Sequence, residues 1–174
     1  GRHSPYSRDE IVIDYISIGV FTGGYTRVFL VIVNRDYIKR NMDIIERAGL
    51  HLKKVVLATE TVSQWYADKS NEHLGLLHVD SGNLDFSVIY KGKPVFLRII
   101  PLGANQLLFD REKYAQKIQE EIRNSVEAYQ TEHLGTLSHL LVTGATEKID
   151  VAGLAREATG IAADTAAWSD GLTL

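Results

Sequence analysis

Apolar and polar positions follow two different periods along this chain, and each change of period marks an element. Ile11 to Ile18 and Arg27 to Val33 are dense in β-branched residues and read as two strands. Thr22-Gly23-Gly24-Tyr25 joins them, and glycine there supplies the positive φ of a tight turn. Asn34 then stands at a helix N-cap position. Through Arg35 to Ala48, Tyr37, Ile38, Met42, Ile45 and Ala48 recur at helical spacing, and Gly49 is the expected stop. His51 to Leu57 predicts a further strand, and Thr59 to Asp68 a short helix opened by Thr59 and Glu60. The first unit, residues 8–70, should therefore run strand, strand, helix, strand, helix.

A second unit, residues 75–161, opens with three strands. The apolar run Leu76 to Val79 ends in the turn Asp80-Ser81-Gly82, Phe86 to Tyr90 follows, and Lys91-Gly92-Lys93-Pro94 turns the chain into Val95 to Ile100. The longest helical pattern comes next, Asp110 to Thr131, with Tyr114, Ile118, Ile122, Val126 and Tyr129 on one stripe. That helix should lie across the sheet and bury Ile118 and Ile122. Leu137 to Val142 reads as a buried strand running into Thr143-Gly144-Ala145-Thr146, and Ile149 to Thr159 as a helix ended by Gly160. Residues 162–174 are small and polar apart from Trp168, and are expected to form a flexible tail. The fold class is thus α/β (α+β), two units each of a sheet backed by helices, joined near residues 69–72.

Composition narrows the function classes. With 174 residues, 45% of them hydrophobic, the chain has enough apolar material for one large or two small cores. Nineteen basic against 22 acidic residues, net −3 and without a basic run, argue against a nucleic-acid partner. The absence of cysteine removes disulfides and thiol chemistry and fits a reducing, cytoplasmic setting. No apolar run approaches the roughly 20 residues that span a bilayer, and residues 1–10 are polar, without a signal-peptide core.

Candidate chemistry is sparse. The six histidines are scattered without a metal-binding helical pair, so no metal site is expected. Ser81 lacks the Gly-x-Ser-x-Gly elbow of a hydrolase, and Glu60 sits where the helix dipole favours an acid in any protein. No catalytic residue is assigned. The Asp80-x-Gly82 turn has two readings: an ordinary hairpin, or a close backbone approach to a phosphate with Asp80 and Asp85 helping to hold a metal.

The order of these words resembles a family. Asp9-Glu10-Ile11-Val12-Ile13-Asp14-Tyr15 is similar to the opening of the extra subdomain, called 1C, of the PilM family of type IV pilus assembly proteins, which is actin-like and related to FtsA. Ala48-Gly49-Leu50 is similar to that family's helix-to-strand connection. Val79 to Arg98 with Ile100-Pro101-Leu102-Gly103 resembles its second phosphate segment, and Glu121 to Glu127, Leu141-Val142-Thr143-Gly144 and Gly153-Leu154 resemble its late helix and adenosine segment. The resemblance implies an actin-like, ribonuclease H-like unit preceded by a 1C-like unit, with Asp80, Gly82, Asp85 and Gly144 at the nucleotide position. It also implies a cytoplasmic scaffold at the inner face of the membrane that grips the cytoplasmic tail of a PilN-like inner-membrane protein. Homo-oligomerisation is left open.

The chain departs from that pattern in four places. The phosphate segment is about two residues short, little room remains after Gly103 for the insert that closes over adenine, the adenosine segment keeps one glycine of a pair, and the first phosphate segment has no counterpart before Arg8, being either absent from the protein or outside this sequence. A nucleotide is held by convergence of several such parts, so the expectation is a non-catalytic scaffold of a pilus or type II secretion platform, without cofactor. The alternative is an ATP- and magnesium-binding, FtsA-like module. For the partner, the two N-terminal strands offer an edge to an extended peptide, and Phe21, Tyr25 and Phe29 are candidates to line its groove, with core packing as the other role of Phe29.

Overall fold

The computed structural model describes residues 7–20, 24–65, 72–132, 135–146 and 148–166. The chain divides into two compact units, Gly1–Ala58 and Thr59–Leu174.

In the first unit a short 3-10 turn, Arg8–Glu10, leads into β1 (Ile11–Val20), which pairs antiparallel with β2 (Thr26–Asn34) as a two-stranded ribbon. Helix α1 (Arg35–Arg47) starts at once because Asn34 is both the last residue of β2 and the N-cap, its side chain accepting from the Asp36 amide at 2.8 Å. The helix stops at Gly49, whose φ of 75° only glycine adopts without cost; the Ala48, Gly49 and Leu50 amides donate to the Ile44, Glu46 and Ile45 carbonyls. Ile11 is the one apolar residue of this unit that is buried among the described residues.

The expected strand His51 to Leu57 is absent: these residues have no regular structure, and Val55 and Val56 are exposed. Val55 and Val56 favour an extended backbone, but a strand exists only through a neighbouring strand, and the ribbon's sheet stops at two. Helix α2 is Ala58–Trp65 and groups by its contacts with the second unit. The rest of the expected helix, 66–68, lies outside the described residues.

The second unit is a five-stranded sheet in the order β5-β4-β3-β6-β7, built from β3 (His73–Val79), β4 (Leu84–Tyr90), β5 (Lys93–Ile100), β6 (Leu137–Gly144) and β7 (Ala162–Thr165). The first three strands form an antiparallel meander, whereas β6 runs parallel to β3 and β7 parallel to β6. Lys91 and Gly92, with φ of 51° and 70°, make the tight β4–β5 turn. Between β5 and β6 come α3 (Ala104–Phe109) and α4 (Arg111–Thr131); α5 (Val151–Thr159) makes the crossover from β6 to β7.

Helix α4 covers the face that carries Phe86, Phe96 and Arg98. The Phe96 ring meets Tyr129 edge-on at 5.7 Å, and Arg98 pairs with Glu121 at 2.7 Å. Ile118 and Ile122 are fully buried, as the sequence pattern requires. Arg123 reaches the Ala158 carbonyl at 3.0 Å and ties α4 to α5.

Two expectations are corrected here. Residues 162–165 are a strand and not a flexible tail, because β6 offers a parallel edge along which 162–165 pair with 139–142, while residues 167–174 lie outside the described ones. And α3 precedes α4: Asp110 ends the first and caps the second, its carboxylate accepting from the Lys113 amide at 3.0 Å.

Candidate functional site

Parallel strands β3 and β6 end side by side, Val79 opposite Gly144. In open α/β sheets ligands bind beyond such carboxyl ends. The turn Asp80 to Asn83 leaves β3 at this place, so the fold brings Asp80, Gly82 and Gly144 to one end of the sheet, with Asp85 opposite His78 just inside β4.

The turn is closed on itself. The Asp80 amide donates to the Asn83 carbonyl at 2.9 Å and the Ser81 amide to the Asp80 carboxylate at 2.7 Å, while Asn83 donates its side-chain amide to the Asp85 carboxylate at 2.7 Å. Both acids thus hold local structure. Behind the turn lies the start of α3: the Ala104 amide donates to the Asp80 carbonyl and the Asn105 amide to the Ser81 carbonyl, each at 2.9 Å. Gly103 makes that approach possible, since a Cβ there would fall 2.5 Å from both the Asn83 nitrogen and the Asp80 oxygen.

Helix N-termini are the ordinary phosphate sites beside such a turn. Here the amides of α3 serve the turn's own carbonyls. The first turn of α5 is capped by Asp150, whose carboxylate accepts from the Gly153 amide at 2.7 Å and would meet a phosphate with like charge. Gly144, with φ of 90°, packs against Val79 and lets the Ala145 amide reach the Val79 carbonyl at 2.9 Å. Among the described residues no group of three or more His, Cys, Asp or Glu side chains is placed to hold a metal. Both carboxylates of the turn and the carbonyls of Asp80 and Ser81 are thus already engaged within the protein. Of Gly82, Gly103 and Gly144, Gly82 alone faces open space.

The partner candidates fare differently. Phe21 lies outside the described residues, Tyr25 is 80% exposed, and Phe29 is half-buried opposite Ile16. The other face of the ribbon carries Ile13, Tyr15, Val28 and Leu30, all exposed, with Tyr15 directly opposite Leu30. Sequence reasoning passed over these four. Their signal was available: β1 and β2 are apolar at successive positions, more than one covered face requires.

No protein-family model and no curated protein sequence matches this chain. Among solved structures the architecture is that of the actin-like fold: a meander of three strands extended by two parallel strands, with helices on the sheet. The structure described as the PilM–PilN type IV pilus biogenesis complex matches 95% of this chain and 58% of its own, with a TM-score of 0.72 at 15% identity. The ethanolamine utilization protein EutJ from Carboxydothermus hydrogenoformans matches 76% of this chain and 56% of its own, with a TM-score of 0.54 at 17% identity. The chain thus spans somewhat over half the length of each. Its fold is PilM-like and actin-like. No described helix is long and apolar enough to cross a membrane.

Proposed function

We propose that this chain is a non-catalytic, PilM-like scaffold of a type IV pilus or type II secretion inner-membrane platform. It works at the cytoplasmic face of the membrane, holds the cytoplasmic tail of a PilN-like protein, and uses neither ATP nor magnesium. The observation that carries this reading is the sealed turn: Asp80, Ser81 and Asn83 spend their backbone and carboxylate groups on one another and on α3. Helix α3 runs into α4 through the single residue Asp110, with no insert between the two helices. The likeness in fold to a PilM that is seen with PilN supports the choice of partner.

Capture of a PilN-like tail peptide by the immobilised chain tests the reading. Asp80→Ala with Asp85→Ala should leave capture within about threefold, since changes outside an interface are usually worth under 0.5 kcal/mol. Tyr25→Asp should weaken it about tenfold or more, because a charge placed in a desolvated contact costs several kcal/mol. The reverse pattern, or no capture by the unaltered chain, would overturn the scaffold.

The second reading, a residual ATP-binding module, is favoured by the open space at Gly82. A nucleotide at 100-fold over its Kd stabilises by about 2.7 kcal/mol. An unchanged melting temperature in millimolar ATP and magnesium is therefore expected, and a clear rise would favour this second reading instead.

A further inference from the structure

The first unit is unfinished in two complementary ways. The outer edge of β1 carries no strand among the described residues, and residues 51–57 of the same unit include the exposed β-branched pair Val55 and Val56 and are unpaired as a strand. Among the described residues β1, β2 and α1 bury Ile11 alone, and Ile13, Tyr15, Val28 and Leu30 on the ribbon are exposed. A two-stranded ribbon is marginal in water; a third strand normally secures it.

We infer that β1 of one copy of this chain is completed by residues 51–57 of a second copy, reciprocally, as a strand-exchanged dimer. The inference stands apart from the scaffold reading. Its ground is register. Laid antiparallel so that Lys54 stands opposite Asp14, the segment puts Val55 opposite Ile13, Val56 opposite Val12, Leu57 opposite Ile11 and Leu52 opposite Ile16, and sets Lys53 opposite Tyr15. Every apolar residue of the segment then meets an apolar one, and the sole acid of β1 meets a lysine. A slip by one residue sends each side chain to the other face: in one direction Lys53 replaces Lys54 at Asp14 and Leu57 falls opposite Glu10, and in the other Val55 falls opposite Asp14, so the register given is the one that keeps every pair.

Within its own chain the segment stays unpaired with β1. In mid-strand the Tyr15 amide donates to the neighbouring Asp14 carboxylate at 2.8 Å. An arriving strand takes over that amide and releases Asp14 to Lys54. Reciprocal exchange is a closed, two-fold arrangement and does not propagate into fibres.

The chain has no cysteine, which makes the test clean. Asp14→Cys and Lys54→Cys are made separately, mixed and oxidised; residues directly opposite across a ladder lie within disulfide reach. A mixed disulfide of doubled mass is expected, and Asp14→Cys mixed with Lys53→Cys, whose side chain is on the other face, should give little. No mixed disulfide, equal linking by Lys53→Cys, or closure only within a single chain carrying both cysteines overturns the inference. Sedimentation of the cysteine-free chain gives an independent readout. A dimer is expected whose affinity falls about tenfold in Asp14→Lys, through two like-charge contacts, and returns when Lys54→Asp is added. A monomer at all concentrations, or no rescue by the exchanged pair, also overturns it.

Discussion

Gly144 and Gly82 both stand at the end of the sheet, yet replacing each by alanine should have opposite consequences. At Gly144 the backbone has φ of 90°, and a Cβ would sit 3.0 Å from the Val79 amide nitrogen and carbonyl carbon and closer still to its oxygen. The conformational part of Gly144→Ala is worth about 1–3 kcal/mol for a non-glycine residue held in a sparsely populated region. Overpacking against a backbone that cannot turn away adds about 1–3 kcal/mol. The sum, about 2–6 kcal/mol, corresponds to a fall of roughly 8–24 °C in Tm at about 4 °C per kcal/mol for a unit of this size. At Gly82 nothing lies within 4 Å and φ is not positive, so Gly82→Ala should stay within about 0.5 kcal/mol of the parent. Thermal and urea unfolding followed by circular dichroism at 222 nm reads both. Equal effects of the two substitutions, or a loss under about 1 kcal/mol at Gly144, would refute the account of Gly144 as the contact that lets β6 close onto β3.

Ile122→Ala, which empties a fully buried site under α4, should cost about 2–5 kcal/mol in urea unfolding. Asp150→Ala removes the carboxylate that caps α5 and should cost about 1 kcal/mol, with Asp150→Ser recovering most of it in the same assay. His73, stacked on Tyr90 and bonded through Nδ1 to the Tyr129 hydroxyl, is held by burial below the ordinary imidazole range. The unfolded chain then takes up the proton first, so stability is whole above an unfolded pKa of about 6.5 and declines as pH falls through that value toward the lower folded one. His73→Gln should flatten that decline; an equally steep loss in the variant would assign it elsewhere.

Much of the second unit was legible because its signals are local. The stripe Tyr114, Ile118, Ile122, Val126 and Tyr129 fixes α4 and its buried face, and alternation with turn residues fixes β3, β4 and β5, since period and turn chemistry belong to the chain itself. Asn34 and Gly49 likewise bound α1 from sequence alone. The resemblance in motif order led to the same actin-like fold that the structural likeness gives.

What the sequence could not decide was where backbone groups find distant partners. His51 to Leu57 and Ala162 to Thr165 illustrate this in opposite directions: the segment with apolar Leu52, Val55, Val56 and Leu57 stays unpaired, while the short, small-residue one becomes a strand because β6 presents an edge to it. Asp80, Gly82, Asp85 and Gly144 were recognised as one neighbourhood from their motifs. Whether that neighbourhood stayed open depended on Gly103, twenty residues on, bringing the amides of α3 against the turn's carbonyls. Local propensity depends on residues near in sequence and can be read along the chain, whereas the satisfaction of a hydrogen-bonding group depends on which surfaces meet, and only the assembled sheet and helices settle that.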